Sequence, residues 1–285
     1  MYLGETIRKI RIQKGFSQKE TYNGIISKSY SISFEQNKHH LSIDLLVPIL
    51  NRLSVDFDEL LFIHRGYTLD EYGDYIYRYA KYANRHDIAG IQGLLVEFSR
   101  KEQTPITKVR CAELRARLAI LKHLEETNEY NPKIVNKDDA QIVKEYLRNT
   151  ETWTLQEVHL YGNTIEWIDA DLQFTFFRRL SRTVEYYTAY DRGRDIYCGM
   201  LVNLIAHTLK INELDIAEVL IRQLELLAVE YPQLFHRMSA KFFAGILTMK
   251  KENLTAIPDS AAWIIEALIH LDQIALAKEL KALIQ

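Results

Sequence analysis

Apolar residues recur at helical spacing along almost the whole chain, and no stretch alternates apolar and polar residues as a half-buried strand would. Residues that break helices are scarce, because the 285 residues include only 11 Gly and 5 Pro. The links between periodic stretches are short, such as Asn212-Glu213 and Tyr231-Pro232. Short links favour antiparallel helix pairs. The sequence therefore predicts an all-α fold.

Two short helices joined by a tight turn are predicted near the N-terminus. Ser17 can accept a hydrogen bond from the backbone N–H of Glu20 while the Glu20 side chain reaches back, which is a capping box. Asn23-Gly24 is a strong turn pair that ends this helix. The hydroxyl of Ser27 can then cap another helix that runs to about Asn37.

Three further helices are predicted around this pair. The first ends at Gly15, because glycine suits the left-handed position that follows a helix. The fourth helix begins at Ser42, and Pro48 is expected to kink it. A fifth helix begins at Asp56 or Asp58 and completes a five-helix unit.

Beyond Gly66 every window is typical of a helix. The predicted helices span residues 68–84, 87–99, 105–127, 137–149, 154–168, 171–190, 194–210, 213–230, 232–250 and 260–284. A stretch beginning at Asn212 resembles half of a tetratricopeptide unit, with Ala217 as the small residue where helices approach closely. We therefore predict a domain over residues 1–65 and a degenerate helical-repeat domain over residues 66–285.

Charge is distributed unevenly along the chain. The net charge is −2, yet residues 1–38 contain seven basic and three acidic residues, an excess of four positive charges. A local basic patch on a nearly neutral protein is typical of site-directed DNA binding. No run of about 18 apolar residues occurs and the N-terminus is charged, so we expect a cytoplasmic protein without a membrane span.

Patterns typical of enzymes and metal sites do not occur. The chain contains no GxxxxGK[ST], GxGxxG, HExxH or GxSxG sequence, and its nine histidines form no ligand pair. The two cysteines, Cys111 and Cys198, lie far apart, so a disulfide framework is not expected. We therefore expect no catalytic residues, no metal and no cofactor.

Tyrosines are clustered just after the predicted N-terminal domain. Tyr72, Tyr75, Tyr79 and Tyr82 are three, four and three residues apart, which places them in one stripe of a helix. Such a stripe could stack on nucleic-acid bases. Helical spacing favours packing against a neighbouring helix or a partner subunit instead.

The pattern R-x-x-x-G-x-S-Q-x-E from Arg11 to Glu20, followed by Gly24, Ser27 and Phe34-Glu35, resembles the phage-repressor-like helix-turn-helix domain. The resemblance covers residues 3–63. It implies that the second helix crosses the DNA backbone while the third enters the major groove. It also implies a structural pair between Arg11 and Glu35.

The resemblance implies a set of DNA contacts. Four residues of the third helix are candidates for base contacts, namely Lys28, Ser29, Tyr30 and Ser33. The side chain of Gln18 is expected to donate to a phosphate. Phosphate neighbours would be Lys14, Lys19, Gln36, Asn37 and Lys38. Ser33 replaces the usual basic residue, and serine reads bases weakly. The alternative is that all these residues are solvated polar positions.

The complete layout, a small repressor-like domain followed by a larger helical-repeat domain, resembles the Rgg (MutR, GadR) regulators of Gram-positive bacteria. The likeness rests on the segment GIISKSYSISFEQNKHHLSIDLLVPILNRLSVDFDELL and on LYGNTIEWI and MLVNLI. It implies a cytoplasmic homodimer that binds promoter DNA. It also implies binding of a short signalling peptide by the repeat domain.

A peptide would need donors and acceptors for its backbone. Asn163 and Asn203 each interrupt an apolar helical stretch and are candidates for peptide contact. The alternative for each is an amide that ties adjacent helices. A basic patch that could hold a peptide carboxylate comprises Arg178, Arg179, Arg182 and Tyr186. The alternative is that nearby carboxylates neutralise these arginines on a solvated surface.

Two other functions fit the same architecture. The regulator could respond to a non-peptide ligand or to a protein partner. The chain could also be a helical-repeat scaffold whose N-terminal domain binds proteins. Specific DNA binding with a steep salt dependence would separate a regulator from a scaffold.

Overall fold

The computed structural model describes residues 2–168 and 170–284, except for the side chains of residues 170, 171, 174, 178 and 181–183. Over these residues the chain forms sixteen α-helices and three short 3-10 helices, and no strand occurs among them. The predicted all-α fold is therefore confirmed. Contacts group the chain into two compact units, residues 1–78 and 79–285. The domain boundary predicted after residue 65 is nearer the N-terminus than this division, which falls between residues 78 and 79.

Five helices precede the division in the order expected from the caps. They are α1 (Gly4–Gln13), α2 (Gln18–Tyr22), α3 (Lys28–Glu35), α4 (Ile43–Leu53) and α5 (Phe57–His64). Pro48 lies inside α4, which continues on both sides of it. The helix after Asp56 begins at Phe57, with Asp56 as its N-cap residue.

Local hydrogen bonds explain where α2 and α3 begin. The Ser17 hydroxyl accepts from the backbone N–H of Glu20 at 3.2 Å, and the Glu20 carboxylate accepts from the backbone N–H of Ser17 at 2.7 Å. The Ser27 hydroxyl accepts from the backbone N–H of Tyr30 at 3.3 Å. Gly24 takes a φ of +77° between the two helices, a conformation that favours glycine.

A small apolar core holds these helices together. Ile7, Ile49, Leu53 and Leu60 are fully buried, and Phe34 of α3 is only 2% exposed. Each such side chain stabilises the fold by about 1.5–3 kcal/mol relative to an exposed one. The core and the contacts of α3 with α1 and α2 therefore hold α3 in place and leave its opposite face to solvent.

The remaining helices follow with short connections. They are α6 (Glu71–Ala83), α7 (Ile88–Ser99), α8 (Pro105–Thr127), α9 (Lys137–Asn149), α10 (Leu155–Thr164), α11 (Ala170–Tyr187), α12 (Asp191–Lys210), α13 (Leu214–Leu227), α14 (Leu234–Lys251), α15 (Asp259–His270) and α16 (Ile274–Lys281). Consecutive helices pack in pairs, including α7 with α8, α12 with α13 and α15 with α16. Tyr75 and Tyr79 of α6 are each 2% exposed, which agrees with the packing interpretation of the tyrosine stripe.

The single helix predicted over residues 260–284 is wrong. Asp272 has a φ of 58°, and the backbone N–H of Gln273 donates to the carbonyl of Leu268 at 2.8 Å, which closes the end of α15. The same turn at Asn212, with a φ of 62°, was visible in the sequence because asparagine tolerates this conformation. The predicted helix over 154–168 also ends early, since residues 165–167 form a 3-10 helix.

Small residues allow close helix packing in the second unit. Ala217 of α13 is fully buried, as expected. Gly162 of α10 faces α12 so closely that a Cβ added there would lie 3.2 Å from the Cα of Met200. This approach brings the polar side chains of α10 and α12 side by side.

Candidate functional site

A buried ion pair joins α1 to the end of α3. Nε of Arg11 donates to Oε1 of Glu35 at 2.6 Å, and Nη2 of Arg11 donates to Oε2 of Glu35 at 2.9 Å. Arg11 is 8% exposed and Glu35 is 3% exposed. The third guanidinium nitrogen donates to the carbonyl of Phe16 at 2.8 Å. The pair implied by the resemblance is thus present, with the two-pronged geometry that arginine favours.

Two side chains of α2 complete this network. The Gln18 amide donates to Oε2 of Glu35 at 2.9 Å, and the Tyr22 hydroxyl donates to Oε1 at 2.8 Å. Burial opposes ionisation of Glu35, but the bonds from Arg11, Gln18 and Tyr22 outweigh it, so the pKa of this carboxyl lies below its usual range. The Glu35 network therefore locks α1, α2 and α3 together.

Gln18 differs from its expected role. Its side-chain amide was expected to donate to a phosphate, but in the structure it is directed at the Glu35 carboxylate. A buried carboxylate needs donors for both oxygens, which explains why the amide turns inward. Sequence reasoning could not find this contact because Gln18 and Glu35 are 17 residues apart.

The solvent face of α3 carries several of the candidate base contacts. Lys28 and Ser29 are exposed and Ser33 is half-buried, and Gln36, an expected phosphate neighbour that caps the end of α3, is exposed as well. Ile32 lies on the same face and is 38% exposed, although the sequence did not indicate it. An exposed isoleucine could have been found from the helical spacing, since Lys28, Ile32 and Gln36 are four residues apart.

Tyr30 is bound to the segment that follows α3. Its hydroxyl donates to the carbonyl of His40 at 2.8 Å, and its ring stacks on His39 with 5.1 Å between the ring centroids. The residue is half-buried and packs against the apolar core. Tyr30 therefore holds the connection between α3 and α4, unlike the base contact expected from the sequence.

Two of the expected phosphate neighbours have structural contacts. The ammonium group of Lys14 donates to the carbonyls of Leu53 and Ser54, at 2.8 and 3.0 Å, where α4 ends. Oδ1 of Asn37 accepts from the backbone N–H of Glu5 at 3.1 Å, in the first turn of α1. The other three expected neighbours are exposed, namely Lys19, Gln36 and Lys38.

Asn163 of α10 joins two neighbouring side chains. Its amide donates to Oε1 of Glu113 in α8 at 2.8 Å and lies 3.2 Å from Nδ1 of His159. Burial and the charge of Arg192 lower the pKa of His159 to about 4, so the ring is neutral near pH 7 and can accept at Nδ1. Asn163 therefore ties α10 to α8, the alternative that the sequence left open.

Asn203 of α12 combines a structural bond with exposure. Its amide donates to the carbonyl of Gly162 in α10 at 3.0 Å, and the residue is exposed. Gly199, one turn earlier on α12, has open space where a Cβ would be. The surface around Asn203 is therefore accessible to a ligand.

Arg179, one member of the basic patch expected on α11, contacts the end of α9. The Arg179 guanidinium donates to the carbonyls of Leu147 and Thr150, at 3.1 and 2.9 Å, where α9 ends. This contact satisfies carbonyls that a helix end leaves without partners, which gives Arg179 a structural role. Tyr186 is 81% exposed. The side chains of Arg178 and Arg182 lie outside the described residues.

A second polar cluster lies beyond the end of α10. Lys210 of α12 donates to Glu166 at 2.7 Å, and the Tyr130 hydroxyl donates to the other oxygen of the same carboxylate. Burial opposes ionisation of Glu166, but Lys210 and Tyr130 outweigh it and lower the pKa of this carboxyl. The sequence did not indicate this cluster, because Lys210 and Tyr130 are 44 and 36 residues from Glu166.

We call a group of polar side chains on these three helices, which ranges from the buried Glu113 to the exposed Asn203 and Lys210, the α8–α10–α12 surface. Its members are Glu113, His159, Asn163, Glu166, Asn203 and Lys210, with Glu166 on the 3-10 helix that extends α10. It offers amide, carboxylate and ammonium groups, which can pair with the backbone of an extended chain. Neither a cluster of metal-binding side chains nor a helix that could cross a membrane occurs in the described parts of the chain.

Comparison with known proteins agrees with this architecture. Residues 92–282 match the family model described as the C-terminal domain of the HTH-type transcriptional regulator Rgg. A candidate transcriptional regulator from Listeria monocytogenes EGD-e is 31% identical, with 97% of this chain and 94% of that chain covered and a TM-score of 0.83. The family match extends over most of the chain, and the Listeria protein covers both units.

Two more distant structures share the fold. The SHP pheromone receptor Rgg2 of Streptococcus dysgalactiae is 20% identical, with 98% of this chain and 97% of that chain covered and a TM-score of 0.76. PrgX, solved in complex with cCF10, is 16% identical, with 99% and 98% covered and a TM-score of 0.68. Taken with the family match and the repressor-like N-terminal helices, these findings show that the chain belongs to the Rgg family of transcriptional regulators.

Proposed function

We propose that the chain binds promoter DNA sequence-specifically through the solvent face of α3. The observation that carries this proposal is the Glu35 network, which fixes α1, α2 and α3 and leaves Lys28, Ser29 and Gln36 exposed along one side. A recognition helix needs such a rigid support and a polar outer face to meet base edges in the major groove. We accordingly place the protein in the cytoplasm, where bacterial promoters are found.

We propose further that the protein acts as a homodimer. One short helix of eight residues gives too small an interface for specific affinity, and dimers solve this by reading two half-sites. A palindromic site is the expected target of such a dimer. Analytical ultracentrifugation of the full chain tests the point, and a monomer at micromolar concentration would contradict it.

DNA binding can be tested by selecting duplexes from a random library with the full chain. Affinity for the selected duplex should fall steeply with salt, because lysines that neutralise phosphates release counterions. Lys28→Ala should weaken binding, whereas Lys122→Ala, which removes a charge from an exposed residue of α8, should not. Enrichment of no sequence, with binding that ignores salt, would favour a scaffold function.

The proposed ligand of the second unit is a short signalling peptide, bound at the α8–α10–α12 surface. Asn203 is exposed beside open space at Gly199, so an extended peptide could reach its carbonyl oxygen. Support comes from two structures of the same fold, one described as a pheromone receptor and one solved with cCF10. Peptide binding would regulate DNA binding by favouring one of two states of the protein.

One observation favours the alternative of a non-peptide ligand or a protein partner. The amide of Asn163 is already bonded to Glu113 and His159, and the amide of Asn203 to Gly162. A peptide would therefore gain mainly acceptors from these two residues unless the internal bonds break.

Calorimetry of the full chain with synthetic hydrophobic peptides, encoded by short reading frames beside the gene, separates these ligands. We expect heat of binding with at least one peptide and a loss of affinity of about tenfold in Asn203→Ala, since the peptide backbone group that pairs with Asn203 would be buried without a partner, which costs about 1–3 kcal/mol. Asn84→Ala, an exposed asparagine after α6, is the matched control. Absence of heat with every peptide would leave the non-peptide alternative.

A further inference from the structure

Ile32 is an apolar side chain on a helix face that is otherwise polar. It is 38% exposed, whereas Ser31, Phe34 and Glu35 of the same helix are at most 3% exposed. Lys28 and Gln36 flank it at four residues on either side, so it occupies the middle of the solvent face of α3. The buried residues of α3 hold the opposite side of the helix against the core, so the face that carries Ile32 points to solvent and the isoleucine is left uncovered.

The chemistry of the major groove gives such a side chain one specific partner. The base edges there present donors and acceptors, and the one apolar group is the C5-methyl of thymine. Ser29 lies three residues before Ile32 and Ser33 directly after it, and both side chains are shorter than that of isoleucine. A serine hydroxyl can serve any base, so the two serines do not by themselves select a sequence.

We infer that Ile32 is a specificity-determining residue that packs against the C5-methyl of a thymine in the bound DNA. The inference rests on the proposed DNA binding and deepens it by naming a base. Tyr30, bonded to His40, and Gln18, bonded to Glu35, are directed elsewhere. Ile32 and Lys28 then supply the selective contacts of this face.

The experiment removes the methyl group without touching the protein. The full chain selects duplexes from a random library, and each thymine of the selected site is replaced in turn by deoxyuridine, which lacks only the C5-methyl. At one position or its symmetry mate, affinity should fall about fourfold, the effect of losing one buried methyl-sized group. Replacing that base pair so that 5-methylcytosine presents a methyl there should restore part of the affinity.

The same comparison of thymine and deoxyuridine duplexes is then repeated with the variant Ile32→Ala, which completes a double-mutant cycle. This variant should bind the thymine and deoxyuridine duplexes equally, because the partner of the methyl is gone. Ile12→Ala, which truncates an isoleucine of α1 that is 55% exposed, should keep the fourfold difference. Thermal unfolding of both variants should match that of the unchanged chain, since neither residue belongs to the core.

The outcomes separate the two proposals. If no duplex is enriched, the proposed DNA binding itself fails. If duplexes are enriched but every deoxyuridine replacement is neutral, or if Ile32→Ala retains the sensitivity to the methyl, DNA binding stands and the role of Ile32 is overturned. A selected site without thymine overturns it as well.

Discussion

The Glu35 carboxylate organises the N-terminal unit because four donors converge on it. Both bonds from Arg11, one from Gln18 and one from Tyr22 lie between 2.6 and 2.9 Å. Burying an ion pair is costly in itself, but removing one partner is worse because it leaves an uncompensated charge. The geometry of α3, and with it any reading of DNA, depends on this residue.

Replacing Glu35 by alanine should therefore destabilise the N-terminal unit strongly. We expect a loss of about 3–5 kcal/mol in the free energy of unfolding, because Arg11 stays buried without its partner. Denaturant unfolding followed by circular dichroism measures this loss. The double variant Arg11→Met with Glu35→Leu should recover most of it, and a single variant as stable as the unchanged chain would contradict the role of the pair.

The same carboxylate makes stability depend on pH. Its pKa is lower in the folded protein than in the unfolded chain, so its contribution is complete above the unfolded pKa of about 4.3 and is lost as the pH falls through the folded value. Acid unfolding of the unchanged chain should thus be steeper below about pH 4.3 than that of Glu35→Gln.

Helices whose limits depend on nearby residues could be predicted from the sequence. The capping box at Ser17 and the cap at Ser27 each involve a partner three residues away, so the start of α2 and α3 was visible. The break between α15 and α16 at Asp272 was not visible in the sequence. Aspartate is also common on the polar side of a continuous helix, so the residue type alone did not indicate its left-handed conformation. The bond from Asn163 to Glu113 was also hidden, since the two residues are 50 positions apart.

Close packing of α10 on α12 can be tested with two glycines. Gly162→Ala should destabilise the protein by about 1–3 kcal/mol, because the added Cβ would meet the backbone of Met200 and force the helices apart. Gly93→Ala, in α7, adds a Cβ where no atom lies within 4 Å and should stabilise by about 0.5–1 kcal/mol. Thermal unfolding compares the two, and equal effects would contradict the close approach.

At the scale of the whole molecule, the two proposed activities belong to different units. The α3 face lies within residues 1–78 and the α8–α10–α12 surface within residues 79–285. The net charge of −2 coexists with an excess of four positive charges over residues 1–38, which contain the proposed DNA-binding face.

The most direct test of the central claim repeats the selection from random duplexes after replacing the α3 face. The variant carries alanine at Lys28, Ser29, Ile32 and Gln36, which preserves the helix because alanine favours it. We predict that the full chain enriches one defined site, and that the variant, with unchanged circular dichroism, enriches none. Recovery of the same site by the variant would show that α3 does not read the DNA.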